Sequence, residues 1–150
     1  MRTFAHVADL AGHLGQEVGT SGWVVVTQAG IDQFAQATGD AQWIHVDPAR
    51  AAAGPFSATV AHGFLTLSLL SELMAAAFTI ADVRMGLNYG LDRVRFPSPV
   101  PVDSRLRAHC RLATYEAIEG GAQLTITVTV EREGGAKPAC VAEWITRHFT

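Results

Sequence analysis

The stretch Gly63-Phe64-Leu65-Thr66-Leu67-Ser68-Leu69-Leu70-Ser71-Glu72-Leu73-Met74-Ala75-Ala76-Ala77-Phe78 leaves hardly any polar face at helical spacing. Such a run needs a cover on every side. At about 1.5 Å per residue it makes one helix ~24 Å long, and a helix apolar nearly all round is a buried one. It falls short of the roughly 20 apolar residues that span a bilayer, so other parts of the protein must cover it. The cover follows directly: Val83 to Tyr89, Arg105 to Ile118, Gln123 to Glu131 and Ala139 to Phe149 are strand-like. Leu124, Ile126, Val128 and Val130 alternate with polar residues, the period-two pattern of a half-buried strand. Gly120-Gly121 and Gly134-Gly135 supply hairpin turns. These elements predict an α+β domain in which a curved antiparallel sheet wraps a long central helix. The single domain spans residues 1–150, with no internal repeat, low-complexity segment or linker.

Upstream, Val7 to Leu14 reads as a short amphipathic helix and Trp23-Val24-Val25-Val26 as a strand. Thr27 suits a helix N-cap, Ile31, Phe34 and Ala35 recur at helical spacing, and Gly39 stands at a left-handed C-terminal position. That helix delivers Asp40 to its exit loop. Asp47-Pro48 then reads as a cap and first-turn proline of an Ala-rich helical turn that Gly54-Pro55 stops.

Composition narrows the function. The chain has 150 residues, 49% of them hydrophobic, with a formal net charge of -3, enough for one real core. No basic stripe or aromatic-basic interleaving supports nucleic-acid binding. The segment Met1 to His6 lacks the apolar core of a signal peptide, so the expectation is a soluble, unprocessed cytoplasmic protein without membrane insertion. Cys110 and Cys140 are the only cysteines and lack paired zinc-ligand spacing. The histidines show neither H-x-x-x-H nor H-E-x-x-H spacing, so no metal is expected. Ser68 and Ser71 lack the G-x-S-x-G elbow of a serine hydrolase.

Phe34, Thr38, Gly39, Asp40, the five-residue step to His45, and Ala51 resemble the motif of the (R)-specific enoyl-CoA hydratases, MaoC-like dehydratases of the hot dog superfamily. The likeness extends through Gln42 to Pro48, Ala61-His62-Gly63-Phe64, Asn88-Tyr89-Gly90 and Val94-Arg95-Phe96-Pro97. It is closest to the single-domain branch that includes nodulation protein N. Where that motif has Asn and Pro, this chain has Gln42 and Trp43. The resemblance implies the hot dog fold, a homodimer with sites at the interface, an acyl-CoA or acyl carrier protein thioester as substrate, and no cofactor.

The chemistry needs such a set on physical grounds. Hydration of a 2-enoyl thioester takes a base to remove a proton from water as it attacks C3, and an acid to protonate C2. Asp40 and His45 can share one water for this purpose. The carbonyl oxygen gains negative charge, which an oriented donor stabilises. The backbone N-H of Gly63 is the candidate donor: a helix start carries partial positive charge, and the absent Cβ allows close approach. In the resembled family the matching glycine has this role and the product is the (R)-3-hydroxyacyl-CoA. Thioester hydrolysis and noncatalytic acyl-CoA binding are the alternative functions.

Other residues have plainer readings beside the functional ones. Asp40 alone would be a turn-capping acid, His45 a half-buried imidazole, and Asp47 a helix cap. His62 sits where a histidine bonds backbone at a helix entrance, and it is also a candidate to support or line the site or to take a direct part in the chemistry. Ser71 and Asn88 are candidates to support the site, as are Gln42 and Trp43 beside it. Leu65, Leu69, Phe56 and Met85 are candidate acyl-pocket walls, though such residues are more often plain core. Arg84, Arg93 and Arg95 are candidate phosphate contacts for coenzyme A, against the alternative of a solvated strand edge.

Overall fold

Alternation of apolar and polar residues builds the sheet that dominates the computed structural model, which describes residues 1–150. In chain order the elements are β1 (Arg2–Phe4), a 3-10 helix (Val7–His13), β2 (Glu17–Thr20), β3 (Val24–Val25), α1 (Gln28–Thr38), α2 (Trp43–Val46) and α3 (Pro48–Ala52). They continue with α4 (Gly63–Ser68), α5 (Leu70–Ala77), β4 (Phe78–Ile80), β5 (Met85–Arg95), β6 (Arg105–Ile118), β7 (Gly121–Arg132) and β8 (Cys140–Phe149). The large sheet runs β2-β6-β7-β8-β5, with β3 also on β6. All its pairings are antiparallel. β1 and β4 form a separate parallel pair.

One face of the sheet is apolar and the other wet. Leu106, Ala108, Cys110 and Leu112 of β6, Leu124, Ile126 and Val128 of β7, and Ala142 and Trp144 of β8 are buried. Leu70, Leu73 and Ala77 of α5 join the same core. Full burial of a leucine such as Leu73 contributes roughly 1.5–3 kcal/mol. The opposite face carries Arg107 and Glu131 on adjacent strands, with Arg107 Nε donating to Glu131 Oε2 at 2.7 Å and His109 bonded to the same oxygen at 2.8 Å. Those two partners hold the Glu131 carboxyl below the ordinary carboxylate range. On the apolar side burial pushes the Cys110 thiol up to about 12, with Glu17 adding to it, and the Cys140 thiol up to about 11. Both thiols are free and protonated at neutral pH.

The helix caps fall where the sequence places them. Thr27 Oγ1 accepts from the N-H of Gly30, Gly39 is left-handed at φ 79°, and Asp47 accepts from the N-H of Arg50 ahead of a first-turn Pro48. Several boundaries differ. The Val7 segment is a 3-10 helix, the strand expected over Trp23 to Val26 shrinks to the two residues of β3, and β5 starts and ends later than expected. The Arg93 to Arg95 segment therefore lies at the end of a strand, and Trp43 to Val46, expected as loop, is a short helix.

The central helix also differs from one continuous buried rod. It is interrupted at Leu69 and ends at Ala77. Ser68 Oγ donates to the carbonyl of Phe64 at 2.7 Å, the back-bonding that bends helices. One side of it is uncovered: Phe64 is 70% exposed. The neighbouring strand β5 is bare as well, with Met85, Leu87, Tyr89 and Leu91 exposed and no partner on its outer edge.

Candidate active site

Three segments meet at the start of the central helix. Gly39 ends α1 and sends the chain back through Asp40, α2 carries His45, and His62 stands at the N-cap of α4. A carboxylate oxygen of Asp40 and one ring nitrogen each of His45 and His62 lie within 4.8 Å of one another. Asp40 is exposed, while His45 and His62 are buried at 6% and 2% exposure.

His45 is held in one orientation. Its Nδ1-H donates to the Val60 carbonyl at 2.6 Å, which leaves Nε2 as the bare, proton-accepting nitrogen. Its own carbonyl accepts from Gln28 Nε2 at 2.8 Å, and Thr59 Oγ1 donates to Gln28 Oε1. Gln28 thus ties the first turn of α1 to both flanks of the histidine. Nothing in the sequence singled out Gln28 or Thr59, because their roles are side-chain bonds across 17 and 31 residues.

His62 is packed more tightly still. Its ring stacks on His45 with centroids 3.8 Å apart and planes 24° from parallel, and Phe34 lies 5.0 Å from it on the ring-centroid measure. Its Nε2-H donates to the Asp40 carbonyl at 2.8 Å. The remaining nitrogen, Nδ1, is buried without a partner. The spacing of Asp40, His45 and His62 admits a metal ion, but the donor directions fit one poorly. Ring lone pairs lie in the ring planes, and planes so nearly parallel do not converge within the ~2 Å reach of a metal-nitrogen bond.

Gly63 follows as the first residue of α4. Its N-H has no bonding partner in the chain, and the His62 side chain does not cap the helix. A Cβ at this position would lie 3.0 Å from Phe96 Cδ2, so the glycine keeps a narrow approach open. Gly63, Phe56 and Phe96 line one cavity of ≈ 270 Å³.

A second cavity, of ≈ 260 Å³, lies between α5 and the β5-β8 edge, lined by Ser71, Met74, Leu87, Asn88, Trp144 and His148 among others. Asn88 Oδ1 accepts from Trp144 Nε1 at 2.7 Å. Tyr89 points away from it, with the Arg147 guanidinium 3.5 Å above its ring, at the bulge where β5 shifts register on β8 between Asn88 and Gly90. His148 shares a hydrogen bond with Thr146 at 2.9 Å, and burial holds its pKa below the usual histidine value.

The remaining sequence candidates are dispersed. Gln42 is exposed at the start of α2, and Trp43 is sandwiched between the Arg50 guanidinium, 4.5 Å above its ring, and Gly54. Ser71 belongs to the second cavity. Of the arginines, Arg93 pairs with Glu143 at 3.5 Å and Arg95 bonds the Val94 carbonyl, both next to the Phe96 that flanks Gly63. Arg84 precedes the other end of β5, and ten residues of strand put ~33 Å between such ends. Phe56 lines the Gly63 cavity, whereas Leu65 and Leu69 pack on the core and Met85 is exposed on β5. These four do not form one pocket wall.

Residues 9–134 match the family described as MaoC like domain. Over 149 residues, covering 99% of both chains, the protein is 57% identical to 3-hydroxyacyl-thioester dehydratase Z of Mycobacterium tuberculosis. It is 51% identical to nodulation protein N of Rhizobium leguminosarum bv. viciae, over 93% of this chain and 89% of that one. In fold it superimposes on the unliganded R-hydratase PhaJ1 of Pseudomonas aeruginosa with a TM-score of 0.76, at 22% identity, over 97% of this chain and 86% of that one. The sheet wrapped on a central helix is the hot dog fold of those hydratases, and the chain belongs to the MaoC-like dehydratase family of hydro-lyases.

Proposed function

We propose that this chain catalyses the reversible addition of water to a trans-2-enoyl thioester, giving the (R)-3-hydroxyacyl thioester, with coenzyme A or acyl carrier protein as the carrier. The observation that carries this reading is the approach of the Asp40 carboxylate to within 4.8 Å of the His45 ring, whose Nδ1 is held by the Val60 carbonyl, next to a Gly63 N-H free to donate to an oxyanion. A 57% identical relative named as a 3-hydroxyacyl-thioester dehydratase supports the same chemistry.

The thioester oxygen bonds the Gly63 N-H, which draws electron density from C3. Asp40 and His45 hold one water between them, and as its oxygen bonds to C3 the pair takes up a proton. The C2=C3 electron pair passes toward the carbonyl and returns to C2, which receives a proton from the same pair. Charge on the oxygen is largest between these events, so the Gly63 donor acts there. Arg93 and Arg95, on the Gly63 side, are the contacts we assign to carrier phosphates, since arginine binds phosphate in bidentate fashion.

The same reading takes the protein to be a homodimer in the cytoplasm. Its support is the unpaired β5 edge with Leu87, Tyr89 and Leu91 exposed beside the uncovered Phe64. An apolar edge of this length is a template for pairing with a second copy. No helix is long and apolar enough to cross a membrane.

Incubation with crotonyl-CoA and a longer enoyl-CoA tests the reaction when loss of conjugated enoyl absorbance is followed together with free thiol. Enoyl loss without thiol release, and an (R)-configured product, are the expected results. Thiol release with the enoyl group intact would replace the hydratase by a thioesterase.

A further inference from the structure

We infer that His62 is a positioning residue for the reaction, joining the three parts of the site through a single fixed tautomer. The inference rests on the hydratase reading and goes beyond it by assigning work to a side chain that neither touches the thioester nor is needed in the proton bookkeeping.

Three contacts and one chain link meet at this residue. Its Nε2-H holds the backbone carbonyl of Asp40 at 2.8 Å, across 22 residues of chain. Its ring face supports the His45 ring at 3.8 Å. Its carbonyl receives the Thr66 N-H at 3.1 Å and so begins α4. Gly63, the oxyanion donor, is the next residue in the chain. Asp40 itself is exposed and lies beyond the end of α1, restrained locally by its own N-H on Thr38 Oγ1 at 3.4 Å and by the Ala41 N-H on the Gly39 carbonyl at 3.1 Å, bonds that run to neighbouring residues and not to the rest of the site. Without the His62 bond the acid-bearing loop has little to hold it over the His45 nitrogen. A loop displacement near 1 Å is enough to cost about a hundredfold in rate.

The tautomer follows from the acceptor. A carbonyl oxygen cannot donate, so Nε2 must carry the proton and a neutral His62 has a bare Nδ1. That nitrogen is buried and unpartnered, an arrangement that is ordinarily unfavourable because the group has lost its water and gained no partner. A residue whose only task was to fill space at the helix entrance is better served by an apolar ring, which carries no such cost. The polar ring is retained because the Asp40 bond requires its other nitrogen.

Two variants separate the roles of donor and ring. His62→Phe keeps a flat ring over His45 and removes the donor; His62→Gln keeps an N-H that reaches to the Nε2 position and removes the ring. With crotonyl-CoA, His62→Phe is expected to lower kcat about a hundredfold with KM changed less than about threefold, and His62→Gln to recover at least about a tenth of the wild-type kcat. A hundredfold loss corresponds to ~2.7 kcal/mol. If His62→Phe retains kcat within about threefold of wild type, the positioning role is wrong. Imidazole nitrogen NMR of the wild-type protein gives a second, folding-independent reading. Nε2 protonated and Nδ1 bare at neutral pH is the expected state, and the reverse tautomer overturns the inference. Absence of wild-type turnover would remove the hydratase reading, while the NMR result would still decide whether His62 holds Asp40.

Discussion

Gly63→Ala offers a sharp separation of stability from catalysis. Gly63 is not in the left-handed region, so alanine can adopt its backbone without strain. In helices alanine is favoured over glycine by up to ~1 kcal/mol. Against this, the new Cβ sits 3.0, 3.1 and 3.3 Å from Cδ2, Cε2 and Cγ of Phe96. The ring must yield by a few tenths of an ångström, and it has room to do so because Phe96 is 41% exposed. That cost falls at the low end of the ~1–3 kcal/mol range for overpacking. The two effects nearly cancel, and the melting temperature is expected to move by no more than about 4 °C. Catalysis has no such compensation, because the methyl group occupies the approach by which a thioester oxygen reaches the N-H. Loss of one oxyanion donor lowers kcat by about 10²–10³, or ~2.7–4 kcal/mol. Thermal unfolding and steady-state kinetics on crotonyl-CoA measure both quantities on one preparation. An unchanged kcat/KM in a folded variant would refute the oxyanion assignment.

Asp40→Asn and His45→Gln are each expected to reduce turnover about a thousandfold or more, ~4 kcal/mol of transition-state stabilisation, with circular dichroism unchanged. A variant that keeps most of its activity removes that residue from the acid-base pair. Placing acidic residues on the bare strand edge, with Leu87→Asp and Leu91→Asp together, is expected to convert a dimer to a monomer in sedimentation; a fully active wild-type monomer would contradict the dimer. His148 gives a pH dependence of stability. Burial lowers its folded pKa below the ordinary histidine value, so its contribution is complete above about pH 6.5 and is lost as pH falls through the folded value, because the unfolded chain takes up the proton first. His148→Gln should flatten the fall in melting temperature over that acid range, and an unchanged slope would show that another group is responsible.

Much of this arrangement is legible locally. The strand over Gln123 to Glu131 follows from its own alternation and the glycine turn before it, and the caps at Thr27, Gly39 and Asp47 follow from side-chain chemistry within three or four residues. Asp40 and His45 are readable because a five-residue step through one turn brings both to the same place. The break at Leu69 was hidden, since Ser68 reads equally well as a surface serine until its hydroxyl is seen on the Phe64 carbonyl. The helix hydrophobicity signals burial but not the identity of the cover, and this chain leaves Phe64 bare.

Periodicity and short-range hydrogen bonding make the sheet-on-helix architecture, the helix caps and the acid-imidazole pair legible in the chain alone. Tertiary structure alone decided that His62 reaches Asp40 and stacks on His45, that Gln28 and Thr59 brace His45, that Asn88 turns inward while Tyr89 turns out, and that Arg84 stands far from Arg93 and Arg95. Such contacts join residues far apart in the chain, and the direction of each side chain depends on how the sheet, helix and loops pack together rather than on any local preference.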